Sequence, residues 1–521
     1  MTMRIALLTT QWPGVRTGGI GTYTAETARA LAAAGADVHV FTLTLPAGAV
    51  VDLGPRVQVH QVREMAERLL AGEDLGDVVS GGLAAQRLLQ SESFAQAVKM
   101  AGPFDVIEAP DYEALGLGCM YAYQDAATRP VIVTHVHSGS AINRIANERT
   151  LTAEDKACEM LESLALQQAD ACCAPSEAVV RTTRQFVPEL DATVIGLGVD
   201  ASVTPSNDDD GSIVFVGRLE KLKGIEVLVD ALRAFSPQHA GARIVLIGAD
   251  TRRTDGDSMR AWAQSMLPSG NVTFTGELPP AQVDEHLQRC RLVVVPSLYE
   301  SFNLVAARAM TFAKPVVCST EIGTAELVGP HGVTFSRGDS TALAHVLSAL
   351  WPDPARCRAI GDQLRQRAVE HFAHERIAAW RLAFYQQIKQ KRLQLPSLAD
   401  LRASVQLPDV LTPGRRLLKA LADRPPTPIL LFGAGRHTAR LLAEKKLWQS
   451  RGHEVVAIID EHPRFADGGT FLNLPVYSIT AAIKSTVRPI IALSSDTMEE
   501  LFWQRAEPLR HAGFTVLRLY A

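Results

Sequence analysis

The sequence predicts an α/β protein built on parallel sheets. Short apolar segments typical of buried strands alternate with segments of helical periodicity along most of the chain. This alternation is typical of a parallel sheet covered by helices on both faces. Stretches rich in turn-forming residues interrupt it twice. We therefore expect two doubly wound domains in tandem, followed by a third and smaller domain of the same class.

The first domain is assigned to residues 1–200. Its predicted strands are RIALLTT, ADVHVFTL, VQVHQV, FDVIEAP, PVIVTHVH and ADACCAPS. Helical segments such as GTYTAETARALAAAG separate them. The stretch GLGVDASVTPSNDDDGS is rich in turn formers and acidic residues, which predicts a link between two domains.

The second domain is assigned to residues 201–392. Its predicted strands are SIVFVG, ARIVLIG, NVTFTG, RLVVVPS, KPVVCS and GVTFS. Scattered prolines make residues 393–427 a predicted linker. Residues 428–521 form the third domain, with the predicted strands PILLFG, EVVAIID, PIIALSS and TVLRLYA.

The composition is that of a soluble globular protein, since 47% of the 521 residues are hydrophobic and 21% are charged. The net charge of −4 argues against a nucleic-acid partner, because such binding depends on a cationic surface. The seven cysteines are scattered without a CxxC pair, which predicts neither a disulfide framework nor a zinc site. No signal sequence or membrane-spanning run is recognisable. We expect a cytoplasmic protein, and peripheral contact with the inner face of the membrane stays open.

The stretch PSLYESFNLVAARAM, residues 296–310, places a carboxylate beside the start of a helix. Glu300 follows a buried strand, and open α/β sheets bind ligands at the carboxyl ends of such strands. The unpaired N–H groups of the helix start suit a phosphate, whereas the carboxylate suits hydroxyl donors. Together they indicate a sugar joined to phosphate. The alternative is that Glu300 is a solvated residue of the helix start.

Two cations follow the first strand of the second domain, in VGRLEKLKG. Arg218 comes directly after the strand, and Lys223 precedes the next helix. A guanidinium and an ammonium in these places can jointly neutralise a diphosphate. The alternative is a pair of surface charges on a loop.

Three glycines of the first domain, Gly18, Gly19 and Gly21, precede a helix in TGGIGTYT. Glycines there let a ligand approach the backbone beside a helix start that can hold an anion. A flexible loop without a ligand would have the same pattern.

Two histidines, His135 and His137, end the predicted strand PVIVTHVH. They point to the same face because strand side chains alternate. No cluster of acidic residues or cysteines accompanies them, so a hydrogen-bonding role in a ligand cleft is favoured over a metal site. For whichever histidine lies outside the cleft, a structural role is the alternative.

The combined pattern resembles a known family, the retaining glycosyltransferases of the GT-B fold often called glycosyltransferase family 4. This family includes glycogen-synthase-like and mannosyltransferase-like enzymes. The motifs that occur in the family's order are GGIGTYT, GRLEKLKG, LIGAD, VTFTGELP, VVVPSLYESFNLVAARAMTFAKPVV and IGTAELVG. The resemblance covers about residues 1–390, and it implies that the last helix of the second domain packs back on the first domain.

The resemblance implies a hexosyltransferase that moves a sugar from a nucleotide-sugar donor, most typically a UDP- or GDP-sugar. The acceptor would be a glycan, a glycoconjugate or lipid-linked sugar, or a small molecule. The anomeric configuration would be kept, with no metal ion and no other cofactor. In front-face attack the departing phosphate itself takes the acceptor's proton, so catalysis rests on orientation and charge stabilisation.

The resemblance also implies roles for individual residues. Arg218 and Lys223 match the pair that binds the donor diphosphate, and Glu300 matches the acid that contacts sugar hydroxyls. His137 matches the histidine near the donor sugar, with His135 as the alternative. The other donor-binding matches are Gly19, Gly248 and the backbone of Phe302, Asn303 and Leu304.

Two positions depart from the family pattern. Arg308 stands at a donor-binding position, eight residues after Glu300, where the family has a second glutamate that usually accepts hydrogen bonds from the ribose. Arginine cannot accept them. Either the ribose is held differently, the donor is unusual or catalysis has been lost. Thr324, in IGTAELVG, replaces a residue that is usually glycine.

The third domain opens with ILLFGAGRHTARLL, a strand followed by a GxG loop and a helix. Gly433, Gly435 and Asp460 are therefore candidates to bind a nucleotide or related ligand. Thr438 replaces the third glycine of the dinucleotide fingerprint. The alternative is a domain for partner contact or for assembly into an oligomer.

The acceptor is expected against the first domain, near SGSAINRIANER. Arg144 and Arg149 of this stretch would favour an anionic acceptor, although such charges are usually solvated. Two other functions stay open. One is a nucleotide-sugar epimerase of the same twin-domain plan, against which GRLEKLKG and ESFNL argue. The other is a non-catalytic nucleotide-sugar-binding or scaffold protein, for which Arg308 is the best argument.

Overall fold

The computed structural model describes most of the chain. The described residues are 2–12, 19–43, 45, 52–62, 82–123, 129–205, 207–253, 256–267, 270–389, 413–434, 438, 441–442, 445–461, 469–484, 489–493 and 499–519. The chain divides into two compact units, one with residues 1–62 and 91–405 and the other with residues 63–90 and 406–521.

The first sheet has seven parallel strands in the order β3-β2-β1-β4-β5-β6-β7. The strands are β1 (Arg4–Thr9), β2 (Asp37–Thr42), β3 (Val57–Gln61), β4 (Val106–Pro110), β5 (Val131–His135), β6 (Ala171–Ala174) and β7 (Ala192–Val194). The helices of this part of the chain are α1 (Gly19–Ala33), α2 (Gly82–Ala101), α3 (Leu117–Ala122), α4 (Ser140–Ala146), α5 (Ala153–Gln167) and α6 (Glu177–Thr183). The edge strand β7 is not among the predicted strands, because its three partly exposed residues form no apolar run.

The second sheet has six parallel strands in the order β10-β9-β8-β11-β12-β13. The strands are β8 (Ser212–Val216), β9 (Arg243–Ile247), β10 (Val272–Gly276), β11 (Leu292–Val295), β12 (Val316–Ser319) and β13 (Val333–Phe335). The helices are α7 (Ile225–Phe235), α8 (Met259–Met266), α9 (Pro280–Arg289), α10 (Leu304–Thr311), α11 (Gly323–Val328), α12 (Ser340–Leu350), α13 (Pro354–Arg367) and α14 (His374–Ile388).

The strands of the second sheet are buried on both faces. In β8, Ile213 and Phe215 enter one hydrophobic core, while Val214 between them enters another. Neighbouring strands alternate in the same way. The sheet is therefore covered on both sides, which confirms the predicted doubly wound arrangement.

Helix α14 follows the second sheet in sequence but packs in the core of the first. Ile377, Ala378 and Tyr385 of this helix share a hydrophobic core with Ile5 and Leu7 of β1. The helix therefore joins the two halves of this unit, the N-terminal half with the first sheet and the C-terminal half with the second.

A buried carboxylate fixes α14 against the first sheet. Glu108 of β4 accepts hydrogen bonds from Arg381 Nη1 at 2.6 Å, from the Tyr385 hydroxyl at 2.5 Å and from the Tyr23 hydroxyl at 2.5 Å. The Arg381 and Glu108 side chains are only 1% and 3% exposed. A buried ion pair needs such additional hydrogen bonds to offset its desolvation.

Two segments that connect the halves run side by side. The Val199 amide donates to the Phe372 carbonyl at 2.8 Å, and the His374 amide donates to the Val199 carbonyl at 3.0 Å. A Cβ atom at Gly196 would lie 2.9 Å from the Phe372 ring, and one at Gly198 would lie 2.7 Å from the His374 ring. Glycines at these two positions thus permit the close approach.

The third sheet lies in the second unit and has the order β16-β17-β15-β14-β18-β19. Its strands are β14 (Pro428–Phe432), β15 (Glu454–Ile459), β16 (Gly469–Phe471), β17 (Leu474–Tyr477), β18 (Ile490–Leu493) and β19 (Val516–Leu517). Its helices are α15 (Pro413–Ala420), α16 (Lys446–Gln449), α17 (Ile479–Ile483), α18 (Glu499–Arg505) and α19 (Glu507–His511). Strand β16 pairs antiparallel with β17, and the other pairings are parallel. This sheet confirms the predicted third α/β element.

Two features of the second unit differ from the sequence-based expectation. Helix α15 lies inside the predicted linker 393–427, and Leu417 and Leu421 from this stretch enter the core of the third sheet. Residues 393–412 of that linker lie outside the described residues. The hairpin of β16 and β17 was not predicted, because its turn residues Leu472 and Asn473 lack the glycine that usually marks such a turn.

Within the described part of the chain, no helix has both the length and the apolar character needed to cross a membrane.

Candidate functional site

Glu300 lies in the loop after β11, at the carboxyl end of the second sheet. Its side chain is buried, and Oε1 accepts hydrogen bonds from Lys223 Nζ at 2.8 Å, Ser297 Oγ at 2.9 Å and Asn303 Nδ2 at 3.1 Å. No residue that the structure describes donates to Oε2. One carboxylate oxygen is thus held by protein donors, and the other is left to accept from a ligand hydroxyl.

The backbone after Glu300 offers a row of amides. The N–H groups of Ser301, Phe302, Asn303 and Leu304 donate to no residue within the described ranges. Asn303 is the N-cap of α10, and its Oδ1 accepts from the Ala306 amide at 2.8 Å. Its φ of 85° turns the chain sharply into the helix, a conformation that asparagine tolerates better than most residues. These amides suit phosphate or sugar oxygens.

Lys223 and Arg218 both lie at the carboxyl end of β8. Lys223 ends a 3-10 turn, and the next residue, Gly224, has a φ of 71°. A Cβ atom there would lie 1.9 Å from the Pro296 carbonyl oxygen, so only glycine lets this turn pack against the Glu300 loop. Arg218 is 61% exposed and pairs with Glu220 Oε1 at 2.9 Å.

Two predicted donor-site glycines have different surroundings. A Cβ atom at Gly248 would lie 1.9 Å from the carbonyl oxygen of Gly217, the residue before Arg218. The absence of a side chain at Gly248 therefore allows the loop after β9 to contact the loop after β8, next to Arg218. Gly19 is the first residue of α1, and no described atom lies within 4 Å of its hypothetical Cβ. Gly18 lies outside the described residues.

The two histidines are both buried, and their rings pack against the ring of Tyr23, tilted for His135 and edge-on for His137. The rings of His135 and His137 lie 4.2 Å apart, and the Tyr23 ring lies 4.5 Å and 4.7 Å from them. Burial, helped by the positive charge of Arg381, lowers the pKa of His137 to about 3. His137 is therefore neutral near pH 7, and its Nε2 has no hydrogen-bond partner among the described residues.

The histidine loop of the first sheet meets the Glu300 loop of the second. Ser138 follows His137 and donates its hydroxyl proton to the His137 carbonyl. Its hydroxyl oxygen lies 3.4 Å from the hydroxyl oxygen of Tyr299. Tyr299 directly precedes Glu300. The fold thus brings together Lys223, Glu300 and the amides of 301–304, with the His137 loop beside them.

Two family models match consecutive parts of the chain. The model described as Glycosyltransferase Family 4 matches residues 17–203, and the model described as Glycosyl transferases group 1 matches residues 200–367. The chain is a glycosyltransferase of the GT-B fold. This confirms the predicted enzyme class, and neither alternative, the epimerase nor the scaffold protein, is favoured by the comparisons.

Two curated relatives of this glycosyltransferase carry different enzyme names. A glycogen synthase from Mycobacterium tuberculosis is 27% identical over 398 residues, which are 72% of this chain and 92% of that protein. A D-inositol 3-phosphate glycosyltransferase from Corynebacterium aurimucosum is 27% identical over 365 residues, which are 64% of this chain and 81% of that protein.

Solved structures share the fold of this glycosyltransferase. Sucrose-phosphate synthase from Thermosynechococcus elongatus has a TM-score of 0.61 and 23% identity, and covers 75% of this chain and 100% of its own. HepE from Anabaena, in complex with UDP and glucose, has a TM-score of 0.54 and 20% identity, and covers 74% of this chain and 99% of its own.

Arg308 of the glycosyltransferase is held by an acid on a neighbouring helix. Its Nε and Nη2 donate to the two carboxylate oxygens of Asp284 in α9, at 3.1 Å and 2.8 Å. The guanidinium also lies over the Phe312 ring, 4.8 Å from its centroid. The hydrogen bond to Asp284 raises the pKa of Arg308. The arginine is therefore a positioned, partly neutralised cation on α10.

Several residues of the site were not predicted. Ser297 and Tyr299 lie within the quoted stretch PSLYE, and only their contacts show their use. Asp111 follows β4, where the rule applied to Glu300 would have found it. Its Oδ1 accepts from the His137 amide at 2.9 Å, whereas its buried Oδ2 has no partner among the described residues. Burial raises the pKa of Asp111 to about 7.

The two arginines predicted to favour an anionic acceptor are already paired with acids. Arg144 makes two hydrogen bonds to the Glu159 carboxylate, at 2.7 Å and 3.2 Å, and Arg149 donates to Asp155 at 3.0 Å. Their charges are thus largely balanced within α4, α5 and the loop between them, and the weak prediction of an anionic acceptor gains no support here.

In the third sheet, an acidic side chain already binds the glycine-rich loop. The Ala434 amide donates to Asp460 Oδ2 at 2.6 Å, and the Thr438 hydroxyl donates to the Gly433 carbonyl. A Cβ atom at Gly433 would lie 2.6 Å from the Phe502 ring. The absence of a side chain at Gly433 thus lets the Phe502 ring pack against the backbone. Gly435 lies outside the described residues. Both family matches end before this sheet.

Among the residues that the structure describes, no three His, Cys, Asp or Glu side chains are grouped so that they could hold a metal ion.

Proposed function

We propose that this glycosyltransferase moves a hexose from a nucleotide-sugar donor to a hydroxyl of a glycan, glycoconjugate or small-molecule acceptor, with retention of configuration and without a metal ion. A UDP-sugar is the first candidate donor and a GDP-sugar the second. The structures of Anabaena HepE with UDP, with UDP and glucose, and with UDP-glucose support the choice of uridine.

The observation that carries this proposal is the arrangement around Glu300. Its Oε1 is held by an ammonium, a hydroxyl and an amide, while Oε2 and the row of amides at 301–304 are left for a ligand. A carboxylate oxygen accepts from sugar hydroxyls, and the amides donate to phosphate. The site therefore fits a sugar joined to phosphate better than either group alone.

The leaving diphosphate would be stabilised by Lys223 and Arg218. When the bond between the anomeric carbon and the phosphate oxygen breaks, its electron pair stays on that oxygen and the diphosphate gains negative charge. Lys223 lies beside Glu300, and the exposed side chain of Arg218 can turn toward the diphosphate. Positive charges placed in advance lower the barrier to this departure.

The acceptor hydroxyl would attack from the face that the diphosphate leaves. Its oxygen forms the new bond to the anomeric carbon, and its proton passes to the leaving phosphate oxygen. His137 is neutral, so its role here is to hydrogen bond a sugar hydroxyl through Nε2, not to supply charge. The orientation of donor and acceptor would then account for much of the rate enhancement.

Arg308 would contact the nucleotide end of the donor. Because its guanidinium is a donor group held by Asp284, it can meet a phosphate or a carbonyl oxygen of the base but cannot accept from ribose hydroxyls. We propose that the ribose is held by other groups, so base preference must be measured.

The test is incubation of the purified protein with UDP-, GDP-, ADP- and CMP-sugars. We expect slow hydrolysis of one donor, with release of the nucleoside diphosphate and a free sugar of unchanged anomeric configuration. A changed sugar stereocentre in the intact donor would indicate an epimerase. Tight binding without turnover, with or without candidate acceptors, would indicate a scaffold protein and contradict the proposal.

A further inference from the structure

Residues 300–304 of the C-terminal half, called the donor segment below, are held by a side chain of the N-terminal half. Ser176 is the N-cap of α6, and its Oγ accepts from the Val179 amide at 3.3 Å. The same hydroxyl donates to the Ser301 carbonyl oxygen at 2.6 Å. Ser176 is 2% exposed, so this contact is shielded from water.

A second contact reinforces the first. Glu326 of α11 accepts from the Glu177 amide at 2.7 Å, and its other oxygen lies 3.5 Å from Arg181 Nη2. Helix α11 begins at Gly323, where a Cβ atom would lie 2.0 Å from the Ser301 carbonyl oxygen and 2.8 Å from Ser176 Oγ. The contact between the N-terminal and C-terminal halves therefore leaves no free space around the Ser301 carbonyl oxygen.

The two carbonyls of the donor segment set the direction of its amides. The Glu300 carbonyl accepts from the Gly323 amide at 2.8 Å, and the Ser301 carbonyl accepts from Ser176. In a planar trans peptide the N–H points opposite to the C=O. Hydrogen bonds to these two carbonyls therefore point the N–H groups of Ser301 and Phe302 in the opposite direction. On that side, no described residue accepts a hydrogen bond from them.

We propose that Ser176 is a positioning residue for the nucleotide-sugar donor. It acts from the opposite half by orienting the peptide between Ser301 and Phe302, so that the amides and Glu300 present one surface to the sugar phosphate. This inference rests on the proposed function. It goes further by assigning donor affinity in part to a residue of the half that does not carry the donor segment.

The test compares Ser176→Ala with Ser91→Ala. Ser91 is a matched control because it is also buried, donates to the Leu115 carbonyl at 2.8 Å and accepts from the Gly118 amide at 2.6 Å, all within the N-terminal half. Both variants leave a buried carbonyl without its donor, and we expect similar falls in melting temperature. Only Ser176→Ala should weaken UDP-glucose binding in calorimetry and raise the donor KM, by about tenfold, with the acceptor KM unchanged.

A second variant keeps the inference testable if Ser176→Ala fails to fold. Glu326 is partly exposed, and Glu326→Ala should raise the donor KM in the same direction by a smaller factor, whereas Glu326→Gln keeps an acceptor for the Glu177 amide and should restore it.

Each unfavourable outcome has a separate meaning. Wild-type protein that binds none of the four nucleotide sugars would overturn the proposed function and this inference with it. Wild-type protein that binds UDP-glucose, while Ser176→Ala and Glu326→Ala bind it equally well, would overturn this inference alone. An equal loss of donor affinity in Ser91→Ala would also overturn it, because the effect would then reflect general loosening.

Discussion

A glutamate beside a helix start can be solvated or can serve a ligand, and its neighbours decide which. Ser297 and Asn303 lie three residues on either side of Glu300, so the local sequence already brings them close. Lys223 is 77 residues away in sequence and reaches Glu300 only because β8 and β11 are adjacent in the sheet. The position of Glu300 was predictable from its strand, whereas the partners of its carboxylate depended on strand order.

At the residue scale, loss of either cation should slow the reaction. We expect Lys223→Ala and Arg218→Ala to reduce turnover of the best nucleotide sugar on the order of 10²-fold or more, because each removes a charge that stabilises the leaving diphosphate. The measurement is kcat for donor hydrolysis, with the melting temperature as a check of folding. Arg233→Ala removes an exposed charge from the same half and is the control. Unchanged kcat in both variants would contradict the mechanism.

A second prediction at this scale concerns acid. Unfolded histidine titrates near pH 6.5, and burial lowers the pKa of folded His137 to about 3. Between these values the unfolded state binds the extra proton, so stability is fully present above about pH 6.5 and falls as the pH drops toward 3. At pH 5 the loss from His137 is about 2 kcal/mol.

The variant His137→Gln should therefore lose less stability than wild type between pH 7 and pH 5, as measured by urea unfolding. His135 is buried in the same way, and its lowered pKa acts in the same direction, so part of the acid sensitivity should persist. His371→Gln, which replaces an exposed histidine of the same unit, is the control for the substitution itself. An identical pH dependence in wild type and His137→Gln would show that His137 does not titrate as described.

At the scale of elements, buried strands were easier to predict than edges and connections. The central strands carry continuous apolar runs because both faces are covered, and each was recognisable from sequence. Strands β7 and β16 are short edge strands, and β17 is a short strand beside β16. All three have mixed exposure, so no hydrophobic pattern marks them. The return of α14 to the first sheet was expected from the family resemblance and not from any local signal, because Glu108 lies 273 residues from Arg381.

The anchor of α14 gives a prediction at this scale. Arg381→Met should lower the free energy of unfolding by about 3–5 kcal/mol, because Glu108 would keep a buried charge without its cation. The double variant Glu108→Leu, Arg381→Met should recover a large part of this loss, since no unpaired charge remains. Urea unfolding of the four proteins in this cycle provides the measurement. A double variant as unstable as the sum of the single variants would indicate that packing alone, and not charge, holds the helix.

At the scale of the whole molecule, the chain consists of two compact units with separate cores. The candidate donor site lies in the unit of residues 1–62 and 91–405, and the third sheet lies in the other. Matches to known families likewise end at residue 367. We therefore predict that the two units unfold separately, and that a ligand of the candidate donor site stabilises only the unit that contains this site.

Differential scanning calorimetry can test this separation. We expect two thermal transitions, and UDP-glucose at about 100 times its Kd should stabilise the first unit by about 2.7 kcal/mol, because it binds only the folded site. The melting temperature of the unit that contains the third sheet should not change. UMP, which lacks the diphosphate and the sugar, is the control ligand and should cause a smaller shift. A single transition that moves as a whole would contradict independent units.

The sequence by itself determined the α/β class, the tandem doubly wound domains, the third α/β element and the positions of the candidate donor-binding residues at strand ends. These follow from local patterns, because hydrophobic periodicity and turn residues act over a few positions. Only the tertiary structure decided that Lys223 meets Glu300, that Asp284 engages Arg308 and that Ser176 reaches the Ser301 carbonyl from the other half. Such contacts join residues far apart in the chain, and they exist only once strand order and the path of the crossing segments place them within hydrogen-bond distance.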